Sequence, residues 1–200
     1  MNEHVNGVDP RVRRTRQLLQ QALLELMQEK RFASITVHDI AERATVNRAT
    51  FYAHFEDKYH LLDFIIRGQF QKEVASKLPP GSRWGVNTLR VLIGAVFDFL
   101  RKVQSQWKLT DSQFGPLFER IVQEELAEVL SSWLKQVPIS GMGRRVPVGT
   151  VASVLSWAMF GAAAQWIHGA KTVSTEQMVN QVLIVITEGV TRLIPASEFP

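Results

Sequence analysis

A chain of 200 residues that is 46% hydrophobic and 21% charged has an ordinary globular composition and room for one domain or two, which argues against long disorder. Its 23 Lys and Arg against 19 Asp and Glu leave a formal charge of +4, which permits a polyanionic partner without requiring one. The absence of cysteine excludes disulfides, thiolate nucleophiles, zinc–thiolate centres and iron–sulfur clusters.

The first residues, MNEHVNGVDPRVRR, are polar and then basic with no apolar stretch behind them, so they do not read as a secretory signal, and a cytoplasmic location is expected. Every stretch between turn signals then runs at helical period, which predicts an all-α fold. Leu19, Leu23, Leu26 and Met27 recur at three- and four-residue steps along 11–30, with Pro10 suited to a first helical turn. Thr36 precedes Val37, Ile40 and Ala41, with Asp39 three residues on, a capping-box pattern for a short second helix to about Ala44. Thr45, Val46 and Asn47 make a tight break. Asn47 is placed to cap a third short helix with Phe51 and Phe55 on one face, and Asp57 a fourth carrying Leu61, Leu62, Ile65 and Ile66.

The break LPPGS at 78–82, with two prolines and a glycine, is the clearest internal punctuation and the expected domain boundary. Four longer helical patterns follow, at about 83–104, 112–136, 147–168 and 175–193, the last opening at Ser174 or Thr175. The loop PISGMGRRVP, 138–147, is Gly-rich beside two arginines but lacks the lysine and preceding strand of a phosphate-binding loop, so it reads as a basic loop. No Asp, Glu, Lys or Arg occurs between Arg145 and Lys171, a span long enough for a bilayer. Thr150, Ser153, Ser156, Gln165 and two glycines lower its hydropathy, and a helix buried on all sides in a core or subunit interface is expected, with no membrane partner.

Three short helices in the first 56 residues, the last two joined by a three-residue turn, are the arrangement in which one helix braces and the next enters the DNA major groove. Ile40, Ala41, Val46, Phe51 and Phe55 can pack inward, leaving Arg48, Ala49 and Tyr52, flanked by Thr50, Ala53 and His54, on or near the outward face. Arg can fork onto guanine, Ala can touch a thymine methyl, and Thr, Tyr and His can hold phosphates. Basic and acidic residues nearly balance over 1–60, but Arg11, Arg13, Arg14 and Arg16 form an acid-free cluster suited to tracking phosphates or a minor groove.

At these residues, ITVHDIAERATVNRATFYAHFEDKYHLL from Ile35 to Leu62, the chain resembles the TetR family of transcriptional regulators. The resemblance covers about Arg11 to Ile66. It implies that Arg48, Ala49, Tyr52 and His54 lie in or beside the groove and that Thr36, Thr50, Tyr52 and Lys58 clamp phosphates; Arg14 joins this DNA-binding set. One departure is Thr45, standing where the family often has Gly, a change that bears on the turn and so on the recognition helix's tilt.

The resemblance also implies an all-α C-terminal region that dimerises through its last two long helices, here about 147–168 and 175–193, and encloses a cavity for a small-molecule effector. Gly161, Ala162, Ala163 and Ala164 suit close helix packing, and Val182, Leu183, Ile186, Val190 and Leu193 offer a second apolar face. Residues 83–200 hold all five tryptophans, and Phe97, Trp107, Phe114, Phe118, Trp133, Met159 and Trp166 are candidates to line an effector pocket. Glu124, Glu125 and Glu128, near Arg120, are expected on a solvated face.

The expected organisation is an N-terminal arm, 1–10; a helix-turn-helix DNA-binding domain, 11–56; a connecting helix, 57–78; and a ligand-binding and dimerisation domain, 79–200. The expected function is that of a repressor released from an inverted-repeat operator in double-stranded DNA by a small apolar or aromatic effector. The alternative is an architectural or adaptor protein with a filled C-terminal core. No catalytic constellation, metal site or cofactor motif stands out: HExxH, GxSxG and P-loop patterns are absent, and His54, Asp57, His60 and Asp63 straddle a predicted helix start.

Overall fold

The structure, a computed structural model, describes residues 9–107, 114–137, 146–169 and 173–189. Among these the ordered elements are helical, as expected: α1 (Pro10–Glu29), a 3-10 turn (Phe32–Ser34), α2 (Val37–Arg43), α3 (Arg48–Tyr52), α4 (Lys58–Lys77), α5 (Val86–Gln106), α6 (Phe114–Leu134), α7 (Val148–His168) and α8 (Thr175–Glu188). The arm before Asp9, the loop 138–145 with Met142, and the expected continuation of the last helix to Val190 and Leu193 lie outside the described residues.

The polypeptide forms two compact units. One runs to Ile66 and includes Gln106–Phe118; the other comprises Arg67–Ser105 and the residues from Glu119 onward. The division therefore falls inside α4, whereas the LPPGS punctuation follows that helix directly: α4 ends at Lys77 and Gly81 takes a φ of 80°. Turn residues mark where a helix stops, and a unit division inside a continuous helix leaves no such mark.

In the first unit, α1 buries Leu19, Ala22, Leu23, Leu26 and Met27, and α2 packs between α1 and α3 through Ile40 and Ala41. Its start is the expected capping box: the Asp39 N–H donates to Thr36 Oγ1 at 3.1 Å while the Thr36 N–H donates to Asp39 Oδ2 at 2.7 Å.

In the second unit, α5 buries a broad stripe that includes Leu92, Ile93, Val96, Phe97, Phe99 and Leu100, and α7 packs on α8. Within one chain α7 is buried on one side only, so burial on all sides would need a second copy against the other. Ala152, Ser156, Met159, Ala163 and Ile167 are buried at helical spacing, but Val154 is 61% and Trp157 57% exposed, with Gly161 and Gln165 also exposed. α7 is long and apolar enough to cross a membrane, with mean hydropathy 1.3 over its best window. With no charge on any face, its sequence carries no contrast from which to tell inside from outside. On α8 the face expected to be free is partly spent: Val182 and Leu183 are buried, and Ile184 and Val185 are the exposed apolar pair.

Candidate nucleic-acid interface

α3 is only five residues long and depends on what holds its two ends and its underside. At its N-terminus the Asn47 side chain accepts from the Thr50 N–H at 2.7 Å and from the Thr50 hydroxyl at 2.9 Å. Underneath, Phe51 is fully buried, edge-on to Tyr52 and tilted against Phe55, which is buried too. Val46, expected inside with them, is only half-buried. This leaves Arg48, Ala49, Tyr52 and Ala53 exposed and Thr50 and His54 half-exposed on the outer side. The outward face read from the sequence is thus assembled on one short helix.

The turn into α3 answers the question raised by Thr45. Thr45 has φ +56°, the left-handed conformation. Its N–H donates to the Glu42 carbonyl at 3.0 Å, and the Val46 N–H donates to the Ala41 carbonyl at 2.9 Å. This pair of bonds is a Schellman closure of α2, usually built on glycine. Threonine adopts the glycine conformation, so the turn is kept and the cost appears as backbone strain of a β-branched residue.

Lys58, expected on DNA phosphates, is engaged by groups of the protein itself. Its Nζ donates to the carbonyls of Phe32 at 2.9 Å, Ala33 at 3.1 Å and Ile35 at 2.8 Å, and lies 4.7 Å from the centre of the Phe32 ring. The three N–H bonds of an ammonium match these three acceptors, so the charge ties the 3-10 turn to the start of α4. Thr36 is similarly committed, its hydroxyl donating to Asp39 Oδ2 at 2.8 Å.

The basic cluster is divided in the same way. Arg11, Arg13 and Arg14 are exposed, but the Arg16 guanidinium sits 5.5 Å from the Phe64 ring centre and 5.9 Å from that of Phe55. Arg43 forks onto Glu29 with two bonds of 2.8 Å, and that hydrogen bond holds the Glu29 carboxyl below its ordinary range. Asp39 is held well below the usual carboxylate range, first by Lys30 at 2.9 Å and then by the backbone N–H and hydroxyl of Thr36. Cations facing outward among the described residues of this unit include Arg11, Arg13 and Arg14 of α1's first turns, Arg31 and Arg48. Of the His54, Asp57, His60 and Asp63 group, Asp57 is occupied in capping α4, accepting from the His60 N–H at 2.7 Å.

The candidate effector-pocket residues are divided between the two units. Trp107, Phe114 and Phe118 belong to the first unit, with Trp107 edge-on to Phe114 at 5.4 Å and Phe114 stacked on Phe118 at 5.7 Å. Phe97, Trp133, Met159 and Trp166 belong to the second, where Phe97 meets Trp166 at 5.7 Å and the Trp166 indole N–H donates to the Val173 carbonyl at 3.1 Å. Of the acidic run of α6, Glu128 is exposed as expected, but Glu125 is not. The Glu125 side chain is 6% exposed and accepts from Arg67 and Gln71, each at 2.8 Å; Glu124 accepts from Arg67 at 2.5 Å and Arg120 at 2.8 Å. These partners outweigh desolvation and hold the Glu124 carboxyl below its ordinary range. Arg67 is 58 positions from Glu125, too far for pattern reading to join them.

A short capped helix with a polar outer face, packed against α2 across the four residues 44–47, is a helix-turn-helix arrangement. Residues 19–64 match the family model for bacterial regulatory proteins of the tetR family. A stretch of 66 residues is 44% identical to YxbF of Bacillus subtilis (strain 168), an uncharacterized HTH-type transcriptional regulator, and spans 32% of this chain and 17% of that relative. Across most of its length the fold is similar to a TetR-family regulator from Streptomyces coelicolor A3, with TM-score 0.62, 16% identity and coverage of 93% of this chain and 99% of that one. It is also similar to FadR of Bacillus subtilis, solved in complex with stearoyl-CoA, with TM-score 0.54, 18% identity and coverage of 86% and 98%. The match to the tetR family is carried by residues 19–64, and over the rest of the chain the likeness is one of fold.

Proposed function

We propose that the protein is a transcriptional regulator that binds an inverted-repeat DNA site as a homodimer and leaves it when a small apolar or aromatic effector binds. The observation that carries the DNA-binding reading is α3, whose underside is pinned by Phe51 while Arg48, Ala49 and Tyr52 face outward. Arg48 is assigned to a base edge; Thr50, Tyr52, His54 and Arg14 to the phosphates and groove walls. The uncharged exposed face of α7, with Val154 and Trp157, and the apolar pair Ile184 and Val185 on α8 are assigned to a four-helix interface between two copies. The effector reading is supported at the level of the fold by the relative that holds stearoyl-CoA. If DNA and effector prefer different separations of the two recognition helices, each weakens the other by the same free energy.

The test is selection of bound duplexes from a randomised library by the full chain at near-physiological salt. Enrichment of an inverted repeat is expected, and Arg48→Ala should cost about 1–3 kcal/mol on that site and relax base preference at one position of each half. Purely salt-sensitive binding with no enriched sequence would favour the architectural reading instead.

A further inference from the structure

Three polar side chains are buried in the described residues, and two are satisfied. Glu125 is bound by Arg67 and Gln71, and the Ser156 hydroxyl donates to the Ser153 carbonyl at 2.8 Å. Gln123, in the middle of α6, is the exception: it is 6% exposed, yet among the described residues neither Oε1 nor Nε2 has a hydrogen-bond partner. Helical spacing puts it on the same side as Leu126 and Leu130, both fully buried. An amide in such surroundings loses its hydration without replacement, a cost that leucine or methionine at the same place would avoid.

Building on the effector reading above, we propose that Gln123 is the polar anchor of the effector seat and that the effector carries a neutral group offering a donor and an acceptor side by side, such as a carboxamide or lactam. Oε1 accepts one hydrogen bond and Nε2 donates another, so a group of that kind satisfies both atoms at once. A carboxylate offers acceptors only and would bring a charge beside apolar side chains. Arg67 and Arg120, which meet this part of α6, do not compensate for it, because both are already engaged by Glu124 or Glu125. The placement also carries a consequence for regulation. Gln123 directly precedes the two glutamates that fasten α6 to Arg67 on α4, so an effector held there acts on the turn of helix that anchors α4.

Three probes of nearly the same shape test this: 2-naphthamide, 2-naphthoate and 2-isopropenylnaphthalene, titrated by calorimetry into the full chain and into Gln123→Met. The amide should bind the original protein about 10-fold more tightly than the other two, and the preference should disappear in the variant. Without ligand, Gln123→Met should raise the melting midpoint by about 2–4 °C, since it removes an unsatisfied amide. Absence of the preference, its survival in the variant, or a lowered midpoint would each overturn the anchor, while continued binding of the naphthyl group would leave the effector seat standing. Failure of all three probes at millimolar concentration would overturn the effector reading itself, and the anchor with it.

Discussion

α3 and α7 present opposite chemistry to solvent. α3 has five residues, one deeply buried side chain and an outer face led by an arginine and a tyrosine; α7 has 21 residues, a full buried stripe, and an outer face with no Asp, Glu, Lys or Arg on which Trp157 is 57% exposed. The short helix could not stand alone and is held by a cap, a turn and an aromatic underside, so its exposed side chains remain available for polar recognition. The long helix buries one stripe and leaves large apolar groups such as Trp157 outside, which suits a partner that excludes water. What a helix leaves uncovered says more about its partner than its length or mean hydropathy.

The comparison can be broken most directly at Trp157. Trp157→Lys places a charge in each half of the assigned interface, and a symmetric dimer carries the change twice. The dimer dissociation constant should rise by about 100-fold or more, read by sedimentation at several concentrations, with the helical signal of the monomer retained. A dimer of unchanged strength would mean that the uncharged face serves something other than a second copy.

Lys58 probes the other region. Removing its ammonium leaves three carbonyls without their donor and takes a cation from the Phe32 ring, so Lys58→Ala should lower stability by about 2 kcal/mol in urea unfolding. The salt dependence of DNA binding should be nearly unchanged. Intact stability with a flatter salt dependence would restore the phosphate contact implied by the family resemblance.

The smallest expected effect is at Thr45. Thr45→Gly relieves the left-handed strain within an existing Schellman closure and should stabilise the protein by about 1 kcal/mol, while leaving the turn's backbone bonds in place. A loss of stability would show that the threonine side chain makes contacts worth more than the strain.

Local chemistry was legible in the residues. Thr36 with Asp39, Asn47 before α3 and Ser174 before α8 each cap within three positions, and the structure shows all three caps. The face carrying Arg48, Ala49 and Tyr52 followed from the spacing of Ile40, Phe51 and Phe55. What stayed hidden depends on distant pairings. The carbonyls that receive Lys58 lie 23 to 26 positions away, and no periodicity announces them. The same holds for Glu125, whose burial depends on Arg67, and for Gln123, which looks like any polar residue beside two glutamates until its neighbours are known. The one-sided burial of α7 was hidden for a different reason: with no charge along the helix there was no pattern to read.

α4 starts in one unit and ends in the other, and two residues past the division stands Gly68, exposed, with nothing within 4 Å for a Cβ to meet. Packing does not demand a glycine there, although glycine inside a helix weakens it by about 0.5–1 kcal/mol relative to alanine. The weakest turn of this helix thus stands next to the point where one unit gives way to the other, and Gly68→Ala would strengthen α4 there without meeting any neighbour.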